Sequence, residues 1–400
     1  MAWFHFCTAN HNRIGRSSLV DLADWFESGL LDLGHKVTFS DNHVETGAIN
    51  VFWECFTPRL GKEITKAGVV YGIVATEIPD GYAFNWQREP EWKARFDSFH
   101  VVANRASFIW TMGESTLPFY SEFCPTAYME LGFSERLIPD YIDQTPEHDF
   151  CFFGQRTPYR EEVVGKLRKY AKVEWPESFL SREGVGRLIG TSKIGLNFKQ
   201  SQRWPVPSPT RLGRLMMAKR GVAAEFVQVA TRQGELVGLC PETSDFSVYA
   251  LGTLNSDWKH RANEVFENYR SEMPMRDIMQ CVLDQTLVGI GATGLRSKAP
   301  ASAEIAASLG RKSYRNGSGA DTRIYIEPED EPVLIGSVGR YNMINYRNKF
   351  IGLPQSLGPI DITQHDLDAF RYVYESQKEL EDELAKIGED SVEIGSHGPR

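Results

Sequence analysis

The alternation of short apolar runs with helical segments most constrains what this chain can fold into. In the first third, strand-like runs such as residues 2–9 and 69–76 alternate with segments of helical spacing, most clearly residues 17–33. After a polar stretch, residues 139–148, the alternation begins again. Strands that alternate with helices form parallel sheets covered on both faces. The sequence therefore predicts an α/β protein with two successive Rossmann-like domains.

This pattern also sets the predicted domain boundaries. We expect an N-terminal domain over residues 1–138 and a second domain over 149–288, which ends in one long helix, 258–287, and includes a strand at 235–240. Residues 289–321, rich in Gly, Ser and Ala, are expected to be a flexible linker. Residues 322–400 are predicted to form a small module with a β-hairpin (341–346 and 349–353) and an acidic C-terminal helix (367–387).

Charge and composition exclude several classes of protein. The 400 residues are 42% hydrophobic and 24% charged, which is ordinary for a globular protein and argues against bulk disorder. The formal net charge is −9, and residues 373–400 carry eight acidic against three basic side chains, so more than half of the excess lies there. There is accordingly no strong signal for nucleic-acid binding. The remaining residues are nearly balanced in charge.

The cysteines and the lengths of the apolar runs indicate the cellular compartment expected for this chain. The six cysteines are spread widely and form no C-x-x-C pair, which is typical of free thiols in a reducing compartment. No apolar stretch approaches 18 residues, so no transmembrane segment is expected, and the N-terminus lacks the features of a signal peptide. The chain is predicted to be cytoplasmic. No metal site is predicted, because Asp366-Leu-Asp368 begins a predicted helix, where acidic residues are expected as caps.

The most informative segment follows the first strand of the second domain. Gly154, Gln155, Arg156 and Thr157 lie between that strand and a helix that begins at Pro158. A strand–Gly–polar–helix junction directs backbone N–H groups and a helix dipole at one point, which suits a diphosphate. Arg156 and Arg160 could neutralise its charge. The alternative is an ordinary helix start with incidental arginines.

Two further segments end at the same predicted edge of the sheet. Lys193 and Asn197 belong to a buried strand, and Thr210 and Arg211 occupy the first turn of a helix after a proline-rich loop. Glu225 ends the next strand, where a carboxylate can accept hydrogen bonds from both hydroxyls of a ribose. Because open α/β sheets bind ligands at the carboxyl ends of their strands, these side chains are candidates for one binding site.

These segments together resemble a known family. Phe152-Phe-Gly-Gln-Arg-Thr-Pro-Tyr-Arg160, Ser192-Lys-Ile-Gly-Leu-Asn197 and Thr210-Arg-Leu…Gly-Val-Ala-Ala-Glu225 look like the donor-binding half of GT-B glycosyltransferases, closest to the group-1, spore-maturation-like (CgeB-like) branch. The resemblance covers residues 149–287 by motif and the first 135 residues mainly by architecture. It implies two Rossmann-like domains facing each other across a cleft, with the donor on the second and the acceptor on the first.

The resemblance implies transfer of a sugar from a nucleotide-diphosphate sugar, a UDP- or GDP-sugar, to a hydroxyl of a glycan, lipid-linked or protein acceptor. No tightly bound cofactor is expected, and the transfer would be metal-independent, with helix dipoles and Arg or Lys stabilising the departing diphosphate. The residues expected to bind the donor are Gly154, Gln155, Arg156, Thr157, Arg160, Lys193, Asn197, Thr210, Arg211 and Glu225.

One departure from the family pattern concerns the acidic residues. Many retaining group-1 enzymes carry two glutamates eight positions apart here, but Met217 lies eight positions before Glu225, and nearby Arg214 is basic. The stereochemical outcome, retaining or inverting, therefore stays open.

The first domain offers candidates for the acceptor side. Glu77, at a predicted strand end, or His11, after the first strand, could remove the proton of the acceptor hydroxyl. For Glu77 the alternative is a cap of the following turn, and for the loop around His11 a merely polar loop. The further residues expected to contact the acceptor are Asn10, Asn12, Arg13, Arg16 and Glu114.

Alternatives from other classes remain at this point. Because the acidic pair is absent, a catalytically silent protein that binds glycans or nucleotide sugars on the same scaffold stays open as an alternative. A sugar-nucleotide epimerase of similar architecture is a further option. Val373, Leu380 and Ile387 recur every seven residues in the predicted C-terminal helix, which leaves open a homodimer through that helix or a helix packed on its own domain.

Overall fold

A computed structural model describes most of the chain. It covers residues 1–287 apart from 9–12, 42, 55, 57, 144, 179 and 230, and the short segments 323–325, 333–338, 341–346, 349–354, 373–374, 377–382 and 384–385. The predicted linker, 289–321, and the acidic pair Asp366 and Asp368 lie outside the described residues. Within the described residues, no helix has both the length and the apolar character needed to cross a bilayer.

The first sheet has six parallel strands in the order β2-β1-β4-β5-β8-β9. Its strands are β1 Trp3–Thr8, β2 Lys36–Asp41, β4 Ile49–Trp53, β5 Tyr71–Ala75, β8 Phe108–Thr111 and β9 Thr126–Tyr128. The helices are α1 Arg13–Asp32, α2 Pro58–Lys66, α3 Pro90–Ala103 and α4 Leu117–Tyr120. Three further short strands lie outside this sheet: β3 His43–Glu45, β6 Pro79–Asp80 and β7 Ala83–Phe84. The strand order reverses between β1 and β4, which is where such sheets place their ligands.

The second sheet has four parallel strands in the order β11-β10-β12-β13. Its strands are β10 His148–Cys151, β11 Val173–Glu174, β12 Ser192–Asn197 and β13 Gly221–Ala224. Its helices are α5 Pro158–Leu167, α6 Arg182–Gly190, α7 Pro209–Met217, α8 Arg232–Val237 and α9 Phe246–Asn255. Two parallel sheets with helices between their strands confirm the predicted α/β class with two Rossmann-like domains.

Two elements near the end of this half differ from the sequence-based prediction. The predicted strand 235–240 is mostly helix α8, and only Leu239 and Cys240 reach the edge of the sheet, beside Ala224. The predicted long helix is two helices, α10 Trp258–Glu272 and α11 Met275–Thr286. Pro274 lies between them, and a proline there has no N–H with which to continue the α10 hydrogen-bond ladder.

The break at Pro274 sends α11 onto the first sheet. The Phe133 N–H donates to the Met273 carbonyl (2.7 Å), and the Met275 N–H donates to the Phe133 carbonyl (2.8 Å). Trp110 of β8 donates its indole N–H to the Thr286 hydroxyl of α11 (3.0 Å). The last helix of this segment therefore ties both sheets together.

The C-terminal residues that the structure describes form a small antiparallel sheet, β15-β16-β17-β18. Its strands are β15 Val333–Val338, β16 Tyr341–Tyr346, β17 Lys349–Pro354 and β18 Val373–Tyr374. The predicted β16–β17 hairpin is confirmed. The preceding strand, β14 Arg323–Tyr325, pairs with β3 instead.

The predicted C-terminal helix is shorter than expected. Residues 377–382 and 384–385 are helical, but Val373 belongs to strand β18 and pairs with Ile351. The prediction that Val373 and Leu380 share one helical stripe is therefore wrong, because a strand does not place its side chains at helical spacing. Leu380 is buried within the chain.

Candidate functional site

The loop between β10 and α5 meets the start of α7 at the carboxyl edge of the second sheet. A side chain at Gly154 would place a Cβ 2.8 Å from Arg211 Nη2, so only glycine leaves room for this guanidinium. Thr157 caps α5 by accepting the Arg160 N–H (3.3 Å). The predicted strand–Gly–polar–helix junction is thus present, with Arg211 of the neighbouring helix packed onto it.

Arg160 and Arg211 are both buried beside the Phe152 ring, 5.1 and 4.6 Å from its centroid. Arg211 donates to the Phe153 carbonyl (3.0 Å) and to Asn197 Oδ1 (3.1 Å). Arg160 donates to backbone carbonyls, among them Gln155 (2.9 Å) and Lys199 (3.1 Å). Within the described part of the chain, neither guanidinium forms an ion pair with a carboxylate.

The electrostatics of this pair follow from its burial. Burial and then repulsion from Arg160 lower the pKa of Arg211 to about 9, and burial lowers that of Arg160 to about 10. Both side chains remain cationic at neutral pH. Glu225 opposes the shift of Arg160 and Asp21 that of Arg211, but the hydrogen-bond partners of both guanidiniums are neutral, and two like charges held this close favour an added anion.

Asn197 organises the start of α7. Its Nδ2 donates to the Ser208 carbonyl (3.3 Å), and its Oδ1 accepts the Ser208 N–H (3.3 Å). The same Oδ1 accepts a hydrogen bond from Arg211. Asn197 therefore positions Arg211. Thr210 lies in the first turn of α7, with its hydroxyl 3.3 Å from that of Ser208.

Glu225 follows β13 at the same edge and is buried. Its carboxylate accepts the Tyr159 hydroxyl and the Lys199 N–H (2.8 Å), and Lys199 Nζ lies 3.3 Å away. A pocket of about 400 Å³ opens beside it. The pocket is lined by residues that include Tyr159, Lys199, Trp204, Glu225, Phe226, Gln228, Cys240, Asp245 and Phe246.

Three of the predicted donor residues are placed differently. Lys193 lies at the amino end of β12, opposite to Asn197, and pairs with Asp149 (2.7 Å). Arg156 stacks on the Trp175 ring (4.2 Å from its centroid) and pairs with Glu161 (2.6 Å). The Gln155 side chain is exposed and contacts only Gln200 (3.4 Å) among the hydrogen bonds described. The structure brings none of these three side chains to the Arg160–Arg211 pair.

In the first domain, Glu77 follows β5 at the carboxyl edge. Arg95 of α3 forms an ion pair with its Oε1, and the Asn85 amide donates to its Oε2. Both carboxylate oxygens are therefore engaged. This arrangement anchors the turn after β5.

The structure adds Glu54, which the sequence analysis missed. Glu54 follows β4 directly, lies at the point where the strand order reverses, and is buried. Its Oε2 accepts the N–H groups of Thr76 (2.9 Å) and Glu77 (3.0 Å), and Tyr120 Oη lies 3.2 Å from both oxygens. Burial and then the neighbouring Glu77 charge raise the pKa of Glu54 to about 8. The sequence signal was a glutamate at the end of an apolar strand run.

The remaining acceptor-side predictions divide into two groups. Asn10, His11 and Asn12 lie outside the described residues, and Arg13 and Arg16 belong to the first turns of α1, where side chains are not described. Glu114 is exposed at the start of a short 3-10 helix that follows β8.

Arg214 of α7 makes ion pairs with α1. Its guanidinium contacts Asp21 Oδ1 (2.5 Å) and Asp24 Oδ2 (2.5 Å) on α1 and stacks on Trp25 (4.9 Å to the ring centroid). Arg182 also pairs with Asp24 (3.2 Å). The Arg214 guanidinium therefore links α7 to α1 through ion pairs.

Comparisons with known proteins give distant likenesses. No protein-family model and no curated protein matches the chain. It is similar to AviGT4, a glycosyltransferase involved in avilamycin A biosynthesis (12% identity, TM-score 0.44, 72% of this chain and 97% of that chain). It is similar to T4 phage β-glucosyltransferase (7% identity, TM-score 0.43, 71% and 99% covered).

A further solved structure is an S. aureus TarM mutant in complex with fondaparinux, α-GlcNAc-glycerol and UDP (11% identity, TM-score 0.42, 59% of this chain covered). The match spans 55% of that protein, so the chain corresponds to about half the length of TarM.

Proposed function

We propose that this protein is a glycosyltransferase that moves a sugar from a nucleotide-diphosphate sugar to a hydroxyl acceptor. The observation that carries the proposal is the buried Arg160–Arg211 pair, which has only neutral hydrogen-bond partners at the carboxyl edge of the second sheet. A diphosphate supplies the charge that these two guanidiniums lack. The N-terminus of α5 begins beside them and favours an anion as well.

The same arrangement supports the reaction. When the glycosidic bond to the donor breaks, negative charge develops on the departing diphosphate, and fixed cations in a buried site stabilise it strongly. Arg160 and Arg211 are held in place by Phe152, Asn197 and backbone carbonyls. We propose that they take the place of a metal cation in this step. Among the described residues, no group of His, Cys, Asp or Glu is arranged to hold a metal ion.

The nucleoside is proposed to occupy the pocket beside Glu225. Its volume of about 400 Å³ lies in the range of small-molecule sites. Tyr159 and Lys199 hold the Glu225 carboxylate at the end of the strand. There it can accept hydrogen bonds from ribose hydroxyls. A UDP- or GDP-sugar is the donor we propose, and the three motifs of the second domain support the group-1, spore-maturation-like branch.

The acceptor side remains a proposal from both sequence and geometry. The acceptor is a hydroxyl of a glycan, lipid-linked or protein molecule. Because Arg95 and Asn85 already engage Glu77, we propose that it holds the turn after β5 and that His11, outside the described residues, is the base.

A cytoplasmic location is proposed from the free thiols of the five cysteines that the structure describes. The homodimer stays a prediction from the sequence.

A catalytically silent binding protein is the second candidate. The engagement of Glu77 favours it, because Arg95 and Asn85 already occupy both oxygens of this carboxylate. Slow hydrolysis of a nucleotide sugar without acceptor distinguishes the two candidates. Release of the nucleoside diphosphate indicates the enzyme, and tight binding without release indicates the binding protein.

The deciding experiment compares diphosphates with monophosphates. We expect the protein to bind UDP or GDP roughly tenfold or more tightly than UMP or GMP, since charge-assisted bonds to the second phosphate add 1.5–3 kcal/mol in order of magnitude, or about tenfold to a hundredfold. In Arg211→Lys, which keeps the charge but loses the planar fork, this preference should largely disappear. Isothermal titration calorimetry measures each affinity.

Lys193→Ala is the matched control, because it removes a cation of the same domain at the opposite edge of the sheet. It should leave the preference for diphosphates unchanged. Equal affinity of the unmodified protein for UDP and UMP, and for GDP and GMP, would contradict the proposed function.

A further inference from the structure

The turn after β7 has an unusual backbone. Asn85 (φ 54°) and Trp86 (φ 60°) are consecutive non-glycine residues in the left-handed region. Bulky side chains rarely adopt this conformation, and such strain concentrates at ligand sites and switches. The conformation must be imposed by surrounding contacts.

Those contacts form a connected set. Asn85 donates its N–H to the Ile78 carbonyl (2.8 Å), accepts the Ile78 N–H on Oδ1 (3.0 Å) and donates its amide to Glu77. The Glu77 N–H is in turn held by buried Glu54 (3.0 Å). The turn is therefore anchored to the carboxyl edge of the first sheet, and its protruding residue is Trp86.

Trp86 meets an aromatic residue of the second domain. Its ring lies 6.1 Å from that of Trp204, centroid to centroid, at an angle of 74°. Trp204 begins the proline-rich segment before α7 and lines the pocket beside Glu225. Both indoles are half-buried, so each keeps part of its surface open. One domain thus contributes an aromatic residue at the wall of the other domain's pocket.

We propose that Trp86 and Trp204 together form a binding site for a pyranoside acceptor, whose ring stacks its C–H face on an indole. This deepens the proposed function and rests on it. A pyranose ring presents patches of axial C–H groups on its faces and hydroxyls around its edge. Indole presents a large apolar face with an electron-rich surface that attracts such C–H groups.

The geometry selects a ring rather than a chain. The two indoles pack edge to face at 74°, so the surfaces that stay open can stack a rigid ring, while an acyclic polyol must give up rotational freedom to lie flat on them. Trp86 lies in the domain assigned to the acceptor and Trp204 in the domain assigned to the donor, so the pair lies where the two domains meet.

The test uses methyl pyranosides of glucose, galactose and N-acetylglucosamine as acceptors, with sorbitol as the acyclic comparison. UDP-glucose, UDP-N-acetylglucosamine and GDP-mannose serve as donors, and mass spectrometry detects the transfer product. We expect transfer to at least one pyranoside in preference to sorbitol. Trp86→Ala should raise KM for that pyranoside at least fivefold, with less than a twofold change in UDP or GDP affinity.

Two further variants separate binding from folding. Tyr82→Ala, at the exposed tip of the same β6–β7 hairpin, should leave the pyranoside KM unchanged. Trp86→Gly relieves the positive φ, so its urea midpoint should equal or exceed that of Trp86→Ala while its pyranoside KM rises equally.

The outcomes are distinguishable. Donor hydrolysis without transfer to any pyranoside, or an unchanged pyranoside KM in Trp86→Ala, overturns this proposal and leaves the glycosyltransferase assignment standing. An unmodified protein that neither binds nor turns over any of the donors overturns the proposed function itself.

Discussion

Glu54 shows how a single buried side chain couples this fold to pH. Burial and Glu77 raise its pKa to about 8, whereas an unfolded glutamate titrates near about 4.3. When protonated, Glu54 can donate to Tyr120 Oη (3.2 Å), whose own proton goes to the Glu77 carbonyl (2.8 Å). The folded protein therefore keeps a proton that the unfolded chain has lost.

A testable consequence follows for Glu54→Gln. Between about pH 5 and pH 8 the folded state binds more protons than the unfolded state, so the free energy of unfolding falls as pH rises. The variant lacks this titration, and its stability relative to the unmodified protein should increase by up to about 1.4 kcal/mol per pH unit in that range. Urea unfolding at pH 5 and pH 8 measures the difference. A difference that stays constant would mean that Glu54 is ionised at both values.

At the scale of elements, α7 is fastened to α1 through Arg214. Its guanidinium is mostly buried between Asp21 and Asp24, and Gly213 beside it lets Trp25 approach, since a Cβ there would lie 2.7 Å from the indole. Burial raises the pKa of Asp21, and Arg214 opposes that shift. The interface therefore depends on the cation being present.

Arg214→Ala should destabilise the protein by about 3 kcal/mol at pH 7, because it removes the guanidinium from Asp21 and leaves Asp24 only its pair with Arg182. The loss should shrink near pH 4, because burial raises the pKa of Asp21 and lets this carboxylate take up a proton there. Arg270→Ala is the matched control, since its pair with Glu135 (2.9 Å) is exposed and should cost less than about 1 kcal/mol. Equal losses for the two variants in urea unfolding would show that the α1–α7 contact contributes no more than a surface pair.

At the scale of the whole molecule, one apolar core spans both sheets. It joins Phe4 and Trp110 of the first sheet to Leu212 and Met216 of α7, and to Met279 of α11. Hydrogen bonds from Trp25 to the Gly132 carbonyl (2.9 Å) and from Tyr269 to the Leu131 carbonyl (2.7 Å) cross the same region. Domains that share a continuous core are expected to unfold together.

Hydrogen exchange of the full chain in increasing urea tests this expectation. Peptides that cover β4 and β12 should lose protection at the same urea concentration, because opening one sheet exposes the core of the other. Peptides from β16, in the small C-terminal sheet, serve as an internal comparison. Separate midpoints for β4 and β12 would show that the two sheets unfold independently.

Some parts of this architecture could be predicted from the sequence because they depend on local pattern. The alternation of apolar runs and helical spacing predicted two successive α/β domains, and the strand-like runs at residues 2–9 and 69–76 are strands β1 and β5. The segment from Gly154 to Arg160 and the start of α7 were placed together because parallel strands share one carboxyl edge. Pro274 was within the predicted long helix, and its breaking effect was overlooked.

Other features depended on contacts between residues far apart in the chain. Glu54 is 23 positions from Glu77, and Trp86 is 118 positions from Trp204, so no local pattern could pair them. Lys193 and Arg156 carry the right charge at suitable places in the sequence, but their partners Asp149 and Glu161 are set by strand register and helix geometry. Residue type alone does not say which cations are already neutralised.

The sequence by itself determined the α/β class, the order of the strands along the chain and the glycine-to-helix junction between β10 and α5. These follow from hydrophobic periodicity and backbone chemistry, which act over a few residues. Only the tertiary structure decided which charges are left without a counter-charge, which carboxyl is buried enough to hold a proton, and which two indoles meet. Burial and electrostatics depend on the distances between distant parts of the chain, and packing alone sets those distances.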